Sequence, residues 1–351
     1  MKKAIWMILA CIMVVISSSS YAQTVTMTFV GDCVLGTNVD WPENDERTFP
    51  NVIAREGMDY PFAKVRDLFM EDDLTVVNLE GVLADTNEGM LGGRKYNFRG
   101  KTSYAQMLAD AGVELAVMGN NHTRDFGTPG IASTKTALSR AGVGYALNEE
   151  AFIFEQDGIR IGVISYISNI YSKHREEMPE IVRVLREERG CSSVVLCIHA
   201  GEEYSMRRSY GQRAIARSAI DAGIDLVIGH HPHVLQGLEI YKDRNIVYSV
   251  GNFVFGGNRK IRKEHRGAMA ARVEMKFEDG VYVGQRLTVL PVIVTATLDR
   301  NNYQPYLAQG EEAQEVMQII QRDTPYELAP FEEGVGAIQP WLPAQESMET
   351  Q

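Results

Sequence analysis

The chain has 351 residues, of which 45% are hydrophobic, and its 35 basic and 46 acidic side chains leave a formal net charge of −11. This length and composition allow a large buried core, which excludes a disordered or fibrous protein. Because no block of lysine or arginine follows the first residues, we expect no nucleic-acid partner. An anionic ligand would need local positive charge, such as a metal ion provides.

The first 22 residues have the pattern of a secretory signal peptide. Lys2 and Lys3 precede an apolar run over residues 4–16, and residues 20–22 form a small-x-small cleavage site. Because this run is too short to span a bilayer comfortably, we expect cleavage near Ala22 rather than a retained anchor. The mature chain would then be exported, to the periplasm or the cell envelope.

The first two predicted strands each end in an acidic residue beside a glycine. Residues 24–30 alternate apolar side chains with threonine and lead into Asp32. Residues 74–79 form a second apolar run, which leads into Glu80. Since both acids follow a strand directly, Asp32 and Glu80 are candidate metal ligands.

The segments around these strands are predicted as loops and helices. Residues 40–59 are polar and contain proline, which is typical of a surface loop, whereas the apolar spacing in residues 62–70 predicts a helix. Residues 85–97 are rich in glycine and asparagine and are predicted to form a mobile loop beside the site. A further helix is predicted over residues 103–111, ending at Gly112.

A third strand, predicted over residues 115–118, delivers polar groups in the same way. Gly119 follows it, and then Asn121 and His122, which can bind a metal ion or transfer a proton. Asp125 lies three positions further on and could orient His122.

The next elements lead to a fourth strand end. They are a helix, a β-hairpin and a charged helix, predicted over residues 130–140, 152–165 and 176–188. A strand over residues 194–198 then ends in His199, and Glu203 follows in an acidic loop. A helix over residues 211–222 completes this part of the chain.

The run from residue 226 to residue 234 contains three of the seven histidines of the chain. Its apolar first half predicts a buried strand, and His230, His231 and His233 follow. Pro232 is expected to keep His231 extended, and side chains i and i+2 of an extended chain point to the same side. His231 and His233 are therefore predicted to face one centre.

The last strand end of the series follows residues 246–250 and carries Asn252. Two strands and a helix are predicted beyond it, over residues 271–277, 281–293 and 311–322. We expect one domain over residues 23–305, followed by a C-terminal helix and an acidic, poorly packed tail within residues 306–351.

Six strand ends thus carry polar side chains, as expected when an α/β sheet gathers its site at the carboxyl ends of its strands. Nitrogen and carboxylate ligands in this number suit two neighbouring divalent cations, such as manganese, zinc or iron. Two cations about 4 Å apart can hold a phosphoryl group and activate a water for in-line attack. Glu80 is the type of ligand that could bridge them.

Six short motifs occur in order along the chain. They are Gly31-Asp32, Asn78 to Gly81, Asn120 to His122 with Asp125 and Gly127, His199 to Tyr204, Gly229 to Val234, and Tyr248 to Phe253. Together they resemble the CapA proteins of poly-gamma-glutamate capsule synthesis, a family similar to the calcineurin-like metallophosphoesterases. The resemblance extends over residues 26–305 and implies an α/β fold in which two packed mixed β-sheets are flanked by helices.

The resemblance also implies roles for individual residues. Asp32 and His233 would hold one cation and Glu80 would bridge; the implied ligands of the other cation are Asn121, His199 and His231. His122 would act as general acid near the leaving group, oriented by Asp125. Apart from the resemblance, the candidate substrate or supporting residues are Asn252, Glu203, Arg99 and His230. The ordinary alternatives are a turn residue for Asn252, a solvated acid for Glu203 and a surface arginine for Arg99.

The sequence departs from the wider superfamily at the first strand end. Asp32, Cys33 and Val34 stand where Asp-x-His is usual, so the first cation has no second nitrogen ligand and is short of ligands, as is usual among CapA relatives. Cys33 could add a thiolate, although a small buried residue is the ordinary interpretation of such a cysteine. Ala200 stands where relatives often carry tryptophan.

Three functions are compatible with these observations. The first is an exported metal-dependent hydrolase of the phosphoesterase type that acts on a phosphoester or an anionic envelope polymer such as poly-gamma-glutamate. The second, motivated by the missing nitrogen, is a non-catalytic accessory that binds polymer or docks on a membrane-bound polymer synthase. The third is a metal-dependent amide hydrolase of gamma-glutamyl bonds, because activated water attacks either centre.

Overall fold

The computed structural model describes residues 21–256, 262–298 and 300–344. The predicted signal peptide lies outside the described residues, apart from its last two positions. Within the described ranges, no helix is long and apolar enough to cross a membrane.

The described residues contain eight α-helices and three shorter helical turns. The helices are α1 (Phe49–Glu56), α2 (Arg66–Met70), α3 (Ala105–Ala111), α4 (Gly127–Ala141), α5 (Ser168–Lys173), α6 (Met178–Arg183), α7 (Tyr210–Asp221) and α8 (Gly310–Gln321). A 3₁₀ turn over Thr102–Tyr104 precedes α3, and a π-helical turn over Val184–Glu188 continues α6. Another 3₁₀ turn lies over Lys263–His265.

The same residues contain eighteen strands, several of them only two residues long. They are β1 (Ala22–Cys33), β2 (Thr37–Asn38), β3 (Leu74–Leu79), β4 (Val82–Leu83), β5 (Phe98–Gly100), β6 (Leu115–Val117), β7 (Gly144–Ala146), β8 (Asn148–Gln156), β9 (Ile159–Ile167), β10 (Ser193–His199), β11 (Leu226–His230), β12 (Leu238–Tyr241), β13 (Arg244–Val247), β14 (Gly267–Glu278), β15 (Val281–Ile293), β16 (Tyr306–Leu307), β17 (Ala337–Ile338) and β18 (Leu342–Pro343).

Most strands belong to two large mixed sheets. The first sheet has the order β16-β15-β14-β1-β3-β6-β7, and β17 and β18 pair with other parts of β15. In it, β1, β3, β6 and β7 run parallel, whereas β14 is antiparallel to both of its neighbours. The second sheet has the order β12-β13-β11-β10-β9-β8, and its four central strands run parallel. Strands β2, β5 and β4 form a small third sheet.

The two large sheets pack face to face over a shared hydrophobic core. Side chains alternate along β1, so that Met27 and Phe29 face this core while Val30 faces the opposite layer. From the second sheet, Val195 and Cys197 of β10 reach the same core. Burial of each such large apolar side chain contributes about 1.5–3 kcal/mol to folding.

Helices cover the outer face of each sheet. Leu108 of α3 and Leu138 of α4 pack against the first sheet, and Val182 of α6 and Ile220 of α7 pack against the second. The architecture is therefore helix, sheet, sheet, helix. It confirms the predicted fold class of two packed mixed β-sheets flanked by helices.

The prediction of a loop over residues 40–59 was wrong for its second half, where α1 lies. Phe49, Val52 and Ile53 are buried on one side of this helix, with the i, i+3, i+4 spacing of an amphipathic helix. Pro50 stands in its first turn, where a missing N–H costs nothing. The proline that suggested a loop therefore marks a helix start.

The prediction of a poorly packed tail is corrected for residues 323–344. Strands β17 and β18 pair with the free edge of β15, and Leu328, Ala337 and Leu342 are buried. The long strand β15 leaves an edge that other backbone can pair with, and the tail covers it. Residues 345–351 lie outside the described residues.

Candidate metal centre

The carboxyl ends of strands from both sheets meet at one edge of the molecule. β1 carries Asp32 there, Glu80 follows β3, and β10 ends in His199. A Cβ atom on Gly31 would clash with the carbonyl oxygen of Gly251. The glycine beside Asp32 is therefore required by the close approach of two backbone segments.

The first group of candidate ligands is Asp32, Glu80 and His233, and all three side chains are buried. Their ligand atoms lie within 4.8 Å of one another. His233 Nδ1 is 3.1 Å from Asp32 Oδ2, and His233 Nε2 is 3.9 Å from Glu80 Oε1. Two carboxylates and one imidazole in this arrangement could hold a divalent cation.

The second group is Glu80, His199 and His231, whose ligand atoms also lie within 4.8 Å of one another. His199 Nε2 is 3.7 Å from Glu80 Oε1 and 2.7 Å from the side-chain oxygen of Asn121. Glu80 belongs to both groups, which is the arrangement expected of a bridging carboxylate. The structure thus brings together all six side chains that the sequence singled out as metal ligands.

The chemistry of Glu80 itself fits a cation. Both of its carboxylate oxygens are buried and have no hydrogen-bond partner, and Nδ1 of His231 is also without one. A buried carboxylate that lacks partners costs several kcal/mol unless a cation compensates it. The residues present therefore fit bound divalent metal.

The charges in the cluster are strongly coupled. Burial and the charge of Asp32 raise the pKa of Glu80 well above its usual range. Burial lowers the pKa of His233, but the carboxylates of Glu80 and Asp32 outweigh it and raise that pKa to about 9. Burial lowers the pKa of His199 well below its usual range. Without metal, the cluster thus retains a proton on His233 at neutral pH.

Cation binding is therefore expected to release protons and to tighten as the pH rises from 7 towards the pKa of His233, about 9. Metal ligation needs neutral imidazole and ionised carboxylate, so each proton displaced strengthens binding by about tenfold per pH unit. Calorimetric titration of Mn²⁺ in buffers of different ionisation enthalpy measures this release. Binding with the same apparent enthalpy in every buffer would contradict the expectation.

The backbone around the histidine cluster differs from the prediction. His231 has φ 100°, so it is not in the extended conformation that Pro232 was expected to impose, and His233 also has a positive φ, of 58°. The backbone bends here, and the two rings have a centroid separation of 6.0 Å. Positive φ in residues other than glycine costs about 1–3 kcal/mol and typically persists at functional sites.

Two asparagines of the motifs support the ligands, a role that the sequence did not assign to them. Asn78 donates to Asp32 Oδ1 at 2.7 Å and lies 3.4 Å from Nδ1 of His199. Asn120 in turn donates to the side-chain oxygen of Asn78 at 3.0 Å. Each asparagine stands beside a candidate ligand at a strand end, and that position is the signal that could have identified them.

His122 and Asp125 form a pair at the border of the cluster. His122 Nδ1 lies 2.7 Å from Asp125 Oδ2, and Nε2 on the other side of the ring is 4.0 Å from Glu80 Oε1. The ring of Phe98 packs on His122 at a centroid distance of 4.4 Å. The prediction that Asp125 orients His122 agrees with this geometry.

Three of the four predicted supporting residues lie at the cluster. Asn252 contacts His233 Nδ1 through its side-chain oxygen at 3.0 Å, and Glu203 forms a third possible ligand group with His231 and His233. His230 lies behind the ligands, where Nε2 is 3.2 Å from the backbone oxygen of residue 30 in the first sheet.

Arg99 does not contact the cluster. It neighbours Phe98 in β5, and successive side chains of a strand point to opposite faces. Since Phe98 packs on His122, Arg99 points away and donates to the carbonyl oxygen of Ala84 at 2.9 Å. Arg99 therefore stabilises the small third sheet rather than binding a substrate at the cluster.

Cys33 is buried in the core and belongs to none of the candidate ligand groups among the described residues. Burial raises the pKa of its thiol far above the usual range, and Sγ lies 3.6 Å from the carbonyl oxygen of Gly31. Cys33 is free, as are Cys191 and Cys197. The first ligand group therefore gains no thiolate from the position beside Asp32.

Replacing Glu203 by glutamine is expected to weaken binding of one cation by about 10- to 100-fold, the usual effect of losing a partner of metal ligands. The matched control is Glu202→Gln, which makes the same change at the neighbouring exposed position. Mn²⁺ titration of both variants decides the outcome. Equal affinities for both variants would show that Glu203 is a solvated acid only.

Together, the fold and the site define an α/β protein of two packed mixed sheets with a candidate divalent-metal centre at its strand ends. Residues 26–257 match the family of bacterial capsule synthesis proteins, PGA_cap. The chain belongs to this family, and the resemblance to CapA proteins is confirmed.

Two curated relatives carry the CapA name. Capsule biosynthesis protein CapA of Bacillus anthracis is 28% identical over 257 residues, which cover 66% of this chain and 60% of the relative. PGA biosynthesis protein CapA of Bacillus subtilis (strain 168) is 26% identical over 252 residues, which cover 66% of this chain and 64% of the relative. The chain thus spans less than two thirds of the length of each.

A solved structure of a hypothetical protein from Thermus thermophilus aligns with a TM-score of 0.44. It is 16% identical to this chain, and the alignment covers 76% of this chain and 99% of that chain.

Proposed function

We propose that this member of the capsule synthesis family is a metal-dependent hydrolase of the phosphoesterase type, with an anionic envelope polymer or a phosphoester as its substrate. The observation that carries the proposal is Glu80, a buried carboxylate without hydrogen-bond partners that is shared by two ligand groups. His122 beside it supplies a group that can transfer protons.

Each residue of the site has a defined task in this reaction. Asp32, Glu80 and His233 would hold one cation, and Glu80 with His199 and His231 would hold the other, as their grouping suggests. When bound, the cations would supply Lewis-acid activation of the substrate and of the attacking water. They would also provide the positive charge that the acidic chain itself lacks.

His122 would act as the general acid. Asp125 accepts a hydrogen bond from Nδ1 and orients the ring, so that Nε2–H on the cluster side would protonate the leaving oxygen. The buried ring of Phe98 holds the imidazole from one face and excludes water there. After the bond breaks, the neutral ring regains a proton from solvent.

Elemental analysis of the purified mature protein is the first test of this function. About two equivalents of metal per chain, reduced in His231→Ala, would support the hydrolase and justify a screen of phosphomonoesters, phosphodiesters and gamma-glutamyl peptides. Cleavage of the peptides alone would replace the phosphoesterase with the amide hydrolase. A metal-loaded protein that cleaves none of these compounds would overturn the proposal.

A second candidate function is a non-catalytic accessory of polymer synthesis. Cys33 adds no ligand beside Asp32, so the first cation has few protein ligands and a purely binding role becomes reasonable. A relative from Mycobacterium tuberculosis, 25% identical over 229 residues, carries a name that describes a polyglutamine synthesis accessory protein. Full capsule formation in cells by a His199→Ala, His231→Ala double variant would favour this function over catalysis.

Export and a membrane-bound synthase partner are parts of the same proposal. The apolar run over residues 4–16 and the cleavage pattern near Ala22 support secretion into the periplasm or cell envelope. This localisation is tested by fractionation of cells that express the full chain, with mass spectrometry of the mature N-terminus. An N-terminus that retains Lys2 in the cytoplasmic fraction would contradict it.

A further inference from the structure

Residues 89–98, which we call the brace segment, wrap around Asp125. The backbone N–H of Leu91 donates to the backbone oxygen of Asp125 at 2.8 Å, and the N–H of Phe98 donates to Asp125 Oδ2 at 2.8 Å. Arg94 donates from Nη1 to Asp125 Oδ1 at 2.5 Å. Three groups of one segment thus bind Asp125, two of them at its fully buried carboxylate and one at its backbone oxygen.

Arg94 also joins the two sides of the candidate site. The same Nη1 atom donates to the backbone oxygen of Asn121 at 2.9 Å, next to His122 in the chain. Asn121 contacts His199, and Asp125 contacts His122. One guanidinium therefore fixes the carboxylate behind the predicted acid and the backbone of a candidate ligand.

The structure assigns Arg94 as a positioning residue: by holding Asp125 in place, it fixes the orientation of the His122 ring towards the substrate. This assignment rests on the proposed hydrolase function for its kinetic consequence, but its geometric content is independent of activity. The side chain of Arg94 is about one third exposed, whereas that of Asp125 is fully buried. Arg94 is thus the point at which the brace segment supplies positive charge to a buried acid.

The competing interpretation is a purely structural salt bridge. Such an ion pair would hold the brace segment to the fold, and its loss would disturb all steps of the reaction alike. A positioning role instead predicts a selective defect. Proton donation matters for poor leaving groups and hardly at all for good ones, so loss of ring orientation should appear only with the former.

The test compares Arg94→Ala, Arg94→Lys and the matched control Lys95→Ala in the full mature chain loaded with Mn²⁺. Lys95 is the next residue in the brace segment, and its ammonium lies over the ring of Tyr96, 4.9 Å from the centroid. With a phenyl or alkyl phosphate, kcat should fall by about 10- to 100-fold in Arg94→Ala. With 2,4-dinitrophenyl phosphate, kcat should change less than about threefold. Arg94→Lys should recover part of the loss, and Lys95→Ala should match wild type.

A second measurement needs no activity. The proton on Nδ1 of His122, hydrogen-bonded to a carboxylate, gives a downfield NMR signal at fixed pH, which is assigned by its absence in His122→Gln. This signal should be present in wild type and Lys95→Ala and lost or exchange-broadened in Arg94→Ala. If wild type cleaves neither ester, this result alone decides the role of Arg94, and the proposed hydrolase fails separately.

Two results would overturn the assignment. The first is an unchanged Nδ1 signal in Arg94→Ala, which would show that Asp125 holds His122 without help. The second is an equal fall in kcat for both esters, which would identify Arg94 as a purely structural residue.

Discussion

Replacing Glu80 by glutamine is expected to abolish binding of both cations and to raise the free energy of unfolding of the metal-free chain. Glu80 is shared by both ligand groups, so its loss removes a ligand from each. Its two oxygens are buried without partners, and a neutral amide at that position removes the cost of burying charge. We expect a gain of about 1–3 kcal/mol in stability without metal.

The pH dependence of stability should change in the same variant. The folded protein raises the pKa of Glu80 above its value in the unfolded chain. The free energy of unfolding is therefore highest below the unfolded-state pKa, and it falls progressively as the pH rises towards the folded-state pKa. Between acidic and neutral pH, the free energy of unfolding should therefore fall less in Glu80→Gln than in the wild type. Urea unfolding with EDTA at several pH values measures both effects.

Glu202→Gln, a change of the same kind at an exposed position, should leave metal content and stability unaltered. Retention of two cations by Glu80→Gln would contradict the bridging assignment. A loss of stability in the metal-free variant would show that the native carboxylate is satisfied by hydrogen bonds, for example to buried water.

Replacing His122 by alanine is expected to lower kcat for an ester with a poor leaving group by about 100- to 10,000-fold, the usual contribution of a positioned general acid. Metal content should stay at the wild-type level, because His122 belongs to none of the ligand groups among the described residues. The defect should shrink as the leaving group becomes more acidic. Steady-state kinetics with a series of substituted phenyl esters measures this dependence.

His174→Ala is the matched control for this variant. His174 lies on the surface and pairs with Glu149 and Glu177, far along the chain from any motif. The His174→Ala variant should hydrolyse every ester at the wild-type rate. Unchanged hydrolysis of the poor leaving group in His122→Ala would exclude His122 as the acid.

The metal cluster combines two features that destabilise the fold, a strained backbone and a buried charge. His231 and His233 both have positive φ, and Glu80 has unsatisfied oxygens. Each feature lowers stability on its own, and bound cations would offset it by favouring the folded state. Metal removal is therefore expected to lower the free energy of unfolding of the wild type more than that of the Glu80→Gln variant.

The sequence determined the strand-end residues and the fold class. Asp32, Glu80, His122 and His199 were recognisable because each lies at or shortly after the end of an apolar run, and that relation is local. Parallel strands then place their carboxyl ends at one edge. The motifs also led to the correct family, because six of them occur in order.

Only the tertiary structure decided which side chains meet. Arg99 was a candidate because of its charge, but the pairing of β5 turns it away, whereas Arg94 reaches Asp125 from a loop without a motif. The pairing of the tail with β15 likewise joins segments that are distant in sequence. Local patterns predict elements and their ends, but long-range packing selects the face that each side chain presents.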